Sequence, residues 1–315
     1  MKKILLLETL AASAFDLLNR ADGIEVVTAY DFDLSKVKTD EIDAVITRGK
    51  GQITREFAAQ FPNLQIVARA GVGLDNVDVA YASSRRIKVL NTPGVNAQTV
   101  AEHTLGLMLM LQRNMYRAVR EVKDNNWAFR NEFQGDELYS KTLGIVGMGT
   151  IGKKVASMAR AFGMNVIYTG TSPAATDPEY RTFSELVSEA DILSLHVPLT
   201  PATRHLINSE TLGKMKKETL IINTARGEVI DEDALAVALK NGNLAGYAAD
   251  VMAEEPPKPN HALLQLPNVL ITAHLASLTA RTYTKMCEDT VFNVLALLRN
   301  QKPMDGCIFN QTQLI

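Results

Sequence analysis

Short apolar runs alternate with longer amphipathic stretches along nearly the whole chain. Strand-like runs occupy residues 3–7, 25–28, 44–47, 65–68 and 88–90, with helix-like stretches between them at 12–19, 54–60 and 77–85. This β-α-β alternation predicts a parallel sheet covered by helices on both faces. Asn91-Thr92-Pro93-Gly94 then interrupts the pattern with turn residues. Residues 97–119 read as one long helix, apolar nearly all round through Leu105-Gly106-Leu107-Met108-Leu109-Met110-Leu111, which predicts burial between two layers or domains. The polar stretch 124–139 carries Trp127, Phe129, Phe133 and Tyr139, and reads either as an arm on a partner subunit or as a simple flap. A second alternating series begins at Thr142, with strands at 143–146, 165–169, 191–196, 219–223, 245–250 and 269–272. Its helices include 152–162, 232–241 and 278–298. The expected class is therefore α/β, as two doubly wound parallel-sheet units joined by a long helix. Pro256-Pro257-Lys258-Pro259 is a short stiff loop, and there is no internal repeat or low-complexity tract.

Composition narrows the function. The length of 315 residues suggests two domains, at roughly 100–200 residues each. Hydrophobic residues at 46% and charged residues at 22% supply enough apolar side chain for real cores, which argues against disorder. The formal net charge of −2 gives no electrostatic case for nucleic-acid binding or a polybasic membrane anchor. Cys287 and Cys307 are too few for a disulfide framework and lack metal-ligand spacing, so no metal and a reduced, cytoplasmic setting are expected. No apolar run reaches the roughly 18 residues of a spanning helix. Lys2 and Lys3 ahead of residues 4–7 mimic a signal peptide, but Glu8 ends the apolar run after four residues. Residues 3–7 are read instead as a buried first strand.

Gly147-Met148-Gly149-Thr150-Ile151-Gly152 matches G-x-G-x-x-G, directly after a strand-like run and at the opening of a helix. In that setting Gly147 allows a tight turn, Gly149 lets a pyrophosphate approach the backbone, and Gly152 lets helix and strand pack closely. The helix N-terminus then offers free N–H groups to phosphates. An acidic residue that would bind the ribose 2′-hydroxyl of NAD belongs about 20 residues on. Gly170 stands there instead, followed by Thr171 and Ser172, and no arginine is adjacent. A 2′-phosphate is not repelled and two hydroxyls could bond to it, so NADP is expected to be accepted and NAD remains open.

Three further segments follow strands of the second series: Asn223-Thr224-Ala225-Arg226-Gly227, Asp250-Val251-Met252-Ala253-Glu254-Glu255-Pro256, and Thr272-Ala273-His274-Leu275-Ala276-Ser277. Open α/β sheets bind ligands at the carboxyl ends of their strands. A cation, a carboxylate and an imidazole there are the parts for hydride transfer to a 2-oxo acid. The cation would pair with the substrate carboxylate, the imidazole would exchange a proton with the substrate oxygen, and the carboxylate would hold the other ring nitrogen.

With these motifs in order, the sequence resembles the D-isomer-specific 2-hydroxyacid dehydrogenase family over nearly its whole length. The resemblance also rests on Gly71-Val72-Gly73-Leu74-Asp75-Asn76-Val77-Asp78, on Asn91-Thr92-Pro93-Gly94 with Val100-Ala101-Glu102, and on His196-Val197-Pro198-Leu199-Thr200. It implies a Rossmann-type cofactor domain, 99–282, and a discontinuous flavodoxin-like substrate domain, 1–98 with 283–315, with the active site in the cleft between them. It implies Arg226 as the substrate-orienting arginine, Glu255 as the histidine's partner in preference to Glu254, and His274 as the acid/base. Asp250 resembles the aspartate that contacts the nicotinamide carboxamide, and Val72 and Gly73 resemble the loop that holds the substrate carboxylate. Gly147, Gly149, Thr150, Ile151, Gly152, Gly170, Thr171, Thr224 and Ala225 would line the cofactor. Val100, His196, Val197 and Pro198 would shape the same site. A homodimer built on the cofactor domains is the implied assembly. Ala273 departs from the proline frequent in the family.

His103, His205 and His261 are read as structural. Within the family, phosphoglycerate-type enzymes carry arginines near the substrate loop; Arg48 and Arg69 stand where such arginines would be, and Lys50 adds a charge. Paired cations suit a phosphate. The expected activity is NAD(P)-dependent interconversion of a 2-oxo acid and a D-2-hydroxy acid, with 3-phosphoglycerate as first choice and glyoxylate or hydroxypyruvate reduction as the alternative. No regulatory domain after residue 315 is expected. Formate dehydrogenase is disfavoured, because it pairs its histidine with glutamine. A dinucleotide-sensing corepressor is the rival from another class.

Overall fold

The computed structural model describes residues 1–30, 33–170 and 177–314. The first elements are β1 (Lys2–Leu6), α1 (Ala12–Asn19), β2 (Ile24–Thr28), β3 (Ala44–Thr47), α2 (Arg55–Ala59), β4 (Ile66–Arg69), α3 (Val79–Ser84) and β5 (Lys88–Leu90). Two consecutive helices follow, α4 (Ala97–Gln112) and α5 (Met115–Lys123). The second series is β6 (Thr142–Val146), α6 (Thr150–Ala161), β7 (Asn165–Thr169), α7 (Phe183–Glu189), β8 (Ile192–Leu195), α8 (Ser209–Leu212), β9 (Leu220–Asn223), α9 (Glu232–Lys240), β10 (Gly246–Ala249) and β11 (Val269–Ile271). The last helix is α10 (Ala280–Leu298).

The chain divides into two compact units, residues 1–96 with 278–315, and residues 97–277. In the first unit, all ladder pairings among the described strands are parallel, in the order β2-β1-β3-β4-β5. Successive strand residues point to opposite faces. Ile4 and Leu6 therefore join the core beneath α1 and α10, with Leu18, Cys287 and Val291. Leu5 and Leu7 join the core beneath α2 and α3, with Ala58 and Ala82. Burial on both faces explains the unbroken apolar runs that mark these strands in the sequence. Each fully buried aliphatic side chain is worth about 1.5–3 kcal/mol.

The second unit carries the order β11-β10-β9-β8-β6-β7, again parallel among the described strands. A single parallel bridge, Tyr168 to Tyr180, continues the sheet beyond β7. Counting it as a minimal third strand, the sheet reads 3-2-1-4-5-6 and one more, the order of dinucleotide-binding sheets. The α/β class with two doubly wound parallel sheets is thus the observed architecture.

Two local expectations change. The helix expected over 97–119 is broken: α4 stops at Gln112, Asn114 takes φ 46°, and α5 starts at Met115. Asparagine tolerates this left-handed conformation better than most residues, so the chain can turn there. The structure also adds α7, which opens on a reciprocal capping pair between Thr182 and Glu185.

Candidate active site

The glycine loop is built by close backbone contacts. Gly147 leaves β6 with φ +101°, and a Cβ there would lie 2.6 Å from the His196 carbonyl oxygen. A Cβ on Gly152 would strike the Gly147 carbonyl oxygen. Gly149, the N-cap of α6, is different, because its Cβ would meet nothing within 4 Å. Among the described residues no side chain caps α6 and no acid stands in its first turn. Its first N–H groups and the positive end of its dipole therefore have no capping side chain or nearby acid of their own helix, with exposed Thr150 and half-buried Ile151 beside them. These residues fit a dinucleotide pyrophosphate.

The neighbouring loops close around the same reversal of strand order, between β6 and β8. His196 Nε2 lies 2.9 Å from Ser194 Oγ, and its buried Nδ1 has no partner among the described residues. Burial pushes its pKa down to about 4, so the ring is neutral. Val197 flanks Gly147, and the Pro198 carbonyl accepts from Thr203. Thr224 Oγ1 lies 2.9 Å from Thr104 Oγ1, whose hydroxyl donates to the Val100 carbonyl, and Ala225 is buried. Gly170 directly follows β7 and is half-buried, with Met148 N the nearest atom to its would-be Cβ. Thr171 and Ser172 lie outside the described residues.

Arg226, Glu255 and His274 are held by three loops of this unit. The Arg226-Gly227 turn packs on the 252–253 backbone so closely that a Cβ on Gly227 would overlap the Met252 carbonyl carbon. Asn223 shapes that turn, accepting from Ala225 N at 3.0 Å and donating to the Arg226 carbonyl at 2.9 Å. Glu255 Oε1 accepts from Met252 N at 3.0 Å, and Oε2 lies 2.7 Å from His274 Nδ1. Burial alone would push Glu255 up, but the His274 contact, the Met252 N–H and the Arg226 charge outweigh it and hold the carboxyl below its ordinary value. An ionised carboxylate only accepts, so Nδ1 carries the hydrogen and Nε2 is left for proton exchange. The other carboxylate weighed, Glu254, is exposed and reaches Lys258 at 3.5 Å.

His274 itself has φ +51°, with its N–H donating to the Asp250 carbonyl at 2.8 Å. Asp250 is 2% exposed. Its Oδ1 accepts from Thr272 Oγ1 at 2.5 Å and Leu275 N at 2.9 Å, and its Oδ2 from Ala276 N at 2.7 Å. The aspartate expected beside the cofactor thus organises the loop that presents His274. His103 on α4 completes the network, 3.0 Å from Thr272 Oγ1. Glu232 steadies the Glu255 loop, accepting from Ala253 N at 2.9 Å and facing His261 at 3.2 Å. Neither Thr272 nor Glu232 stood out in the sequence, where a threonine after a strand and an acid in a first helical turn are ordinary.

The remaining candidates belong to the first unit. Arg48 Nη1 donates to the Thr9 carbonyl at 3.1 Å and Tyr283 Oη at 3.2 Å, and its guanidinium lies 4.9 Å from the Tyr283 ring centroid. Arg69 donates to the Arg48 carbonyl at 2.5 Å and to the Gly73 carbonyl, so part of its guanidinium braces the two loops. The Val72 carbonyl accepts from Asn91 at 2.7 Å. Lys50 is exposed. Among the described residues no helix is long and apolar enough to cross a membrane, and no cluster of His, Cys, Asp or Glu is placed to hold a metal.

A family model described as D-isomer specific 2-hydroxyacid dehydrogenase, NAD binding domain, matches residues 105–276. A D-3-phosphoglycerate dehydrogenase of Methanocaldococcus jannaschii is 41% identical over 285 residues, which is 89% of this chain but 54% of that protein. The chain thus spans about half the length of that relative. A hydroxypyruvate reductase of Thermotoga maritima is also 41% identical over 285 residues, covering 89% of this chain and 92% of that one. The crystal structure of an NADPH-dependent glyoxylate/hydroxypyruvate reductase from Sinorhizobium meliloti, in complex with citrate, matches with a TM-score of 0.88 at 30% identity, covering 96% and 97%.

Proposed function

The chain belongs to the D-isomer-specific 2-hydroxyacid dehydrogenase family, and from that premise we propose that it interconverts a 2-oxo acid and its D-2-hydroxy acid with NAD or NADP. The observation that carries this reading is the 2.7 Å contact between His274 Nδ1 and Glu255, inside the unit that holds the glycine loop. The N–H groups at the start of α6, with Gly147, Gly149, Thr150, Ile151 and Gly152, would receive the pyrophosphate, and Gly170 the adenosine ribose. When bound, the nicotinamide supplies or accepts the hydride. Arg226 pairs with the substrate carboxylate and fixes which face of the carbonyl is presented. In reduction, His274 Nε2 gives its proton to the carbonyl oxygen; in oxidation it takes the hydroxyl proton. Glu255 keeps Nδ1–H oriented and offsets the imidazolium charge.

For the substrate, 3-phosphoglycerate and its 2-oxo acid are our first reading, with Arg48 facing the phosphate. One observation favours a second, glyoxylate or hydroxypyruvate reduction: Arg69, the other arginine expected at the phosphate, donates to the Arg48 and Gly73 carbonyls. The missing acid at Gly170 supports use of NADPH. The exposed face of α5 supports a homodimer: Met115, Val119 and Val122 stand one turn apart, 42%, 56% and 50% exposed.

The test is a panel of 2-oxo acids against NADH and NADPH, followed by nicotinamide absorbance, with His274→Ala alongside. Wild type should turn over at least one 2-oxo acid. His274→Ala should lose about 10²–10⁴-fold in kcat while dinucleotide affinity stays within about threefold. Dinucleotide binding without turnover in wild type would remove the dehydrogenase reading and leave a nucleotide-binding protein.

A further inference from the structure

In the first unit the strand order reverses between β1 and β3. Open parallel sheets take ligands at the carboxyl ends of the strands flanking such a reversal. Here a side chain of the protein itself stands at that place. Glu8 lies just beyond β1, and its Oε1 accepts from the backbone N–H groups of Arg48, Gly49, Lys50 and Gly51 at 2.8, 2.9, 3.1 and 3.2 Å. The same oxygen accepts from the Thr47 hydroxyl at 2.9 Å. Successive N–H groups turned on one point form an anion-binding nest, and a charged acceptor strengthens each bond. Burial pushes the Glu8 carboxyl up, but these N–H groups and the Thr47 hydroxyl outweigh that and hold it below its ordinary value. It is therefore charged at neutral pH.

The nest fixes one residue from several sides. The Arg48 N–H is held by Glu8, its carbonyl by Arg69, and its guanidinium by Tyr283 and the Thr9 carbonyl. Loop 48–51 has no strand or helix to satisfy these donors, so without the carboxylate four N–H groups at a half-buried site lose their shared acceptor. We propose that Glu8 is a positioning residue, an internal anion that holds loop 48–51 in the conformation from which Arg48 meets the second anionic group of a 2-oxo acid. This rests on the reading of Arg48 given above. Glu8 would thereby set KM for doubly anionic substrates and leave the chemical step alone.

The experiment compares the full-length wild type with Glu8→Gln, Glu8→Ala and Arg48→Ala. It measures kcat and KM for 3-phosphohydroxypyruvate and glyoxylate, NADH affinity, Tm, and hydrogen exchange of amides 48–51. Glu8→Gln should speed exchange at those amides and raise KM for 3-phosphohydroxypyruvate about tenfold, the worth of one charge-assisted hydrogen bond. kcat, NADH affinity and exchange in β1 and β3 should stay within about threefold. Acetate should partly restore KM in Glu8→Ala by filling the nest, whereas in wild type it should only compete with substrate. An unchanged KM despite a loosened loop would overturn the proposal, as would a joint fall of kcat and Tm without acetate rescue. If Glu8→Gln folds poorly, Glu8→Asp, which keeps the charge and shortens the reach, takes its place. No effect of Arg48→Ala on KM would overturn both the proposal and the phosphate reading of Arg48, whereas a raised KM in Arg48→Ala with none in Glu8→Gln would overturn the proposal alone.

Discussion

Glu255 shows how a side chain acquires a role from its surroundings. Burial works against its charge, yet His274, the Met252 N–H and Arg226 together keep the carboxyl below its ordinary value. The sign of the pH dependence follows. A depressed carboxyl contributes stability above its unfolded pKa and loses it as pH falls through the folded one. The Tm gap between wild type and Glu255→Gln should therefore be full at neutral pH and close in acid, below the ordinary carboxylate range. A gap constant with pH would mean that the charge on Glu255 contributes nothing to stability. The same substitution should lower kcat about tenfold or more, because an amide cannot offset the imidazolium charge. The pairing of residues 255 and 274 spans 19 positions and two loops. Residue type and order suggested it, but only coordinates give the distance and separate Glu255 from exposed Glu254.

At the scale of elements, the second unit depends on places where backbone touches backbone. The Arg226-Gly227 turn rests on the loop that carries Glu255, with no room for a methyl group at Gly227. Gly227→Ala should therefore cost about 1–3 kcal/mol or more in urea unfolding, and should lower kcat by shifting Arg226 against Glu255. A neutral effect on both would show that the two loops give way easily. The strands were legible because burial on both faces leaves unbroken aliphatic runs, and α6 because glycine spacing marks its start. The break at Asn114 was missed although Gln112-Arg113-Asn114 interrupts the apolar run with a basic residue and an asparagine, a helix-stop signal that the apolar residues on either side mask. The start of α7 was in fact written in Thr182-Phe183-Ser184-Glu185, a capping-box pattern that the hydrophobic periodicity of so short a helix does not reinforce.

For the whole molecule, the near-neutral charge and the exposed aromatic and aliphatic side chains of residues 115–139 bear on assembly. Trp127 and Tyr139 are 70% and 72% exposed, close in sequence to the apolar stripe of α5. A charge in that stripe should oppose a dimer at little cost to the fold, because no residue of α5 is buried. Val119→Asp should shift sedimentation from dimer to monomer while Tm moves only a few degrees. Wild type that sediments as a monomer at micromolar concentration would remove the dimer proposal.

Local patterns carried much of the reading. Unbroken apolar runs, a glycine spacing and a loop after a strand are set by neighbours in the chain, so the α/β class and the glycine turn could be inferred from residues alone. The tertiary structure decided the rest. Asp250 and Thr272 bind across 22 residues, His103 reaches Thr272 across 169, and Glu8 meets the Arg48 loop across 40. Each contact needs two segments folded onto one sheet edge, and no periodicity records which distant N–H or hydroxyl will meet a given carboxylate. The sequence thus determined which chemical groups are present and which ends of strands carry them. Folding decided which of those groups are partnered, buried and held still.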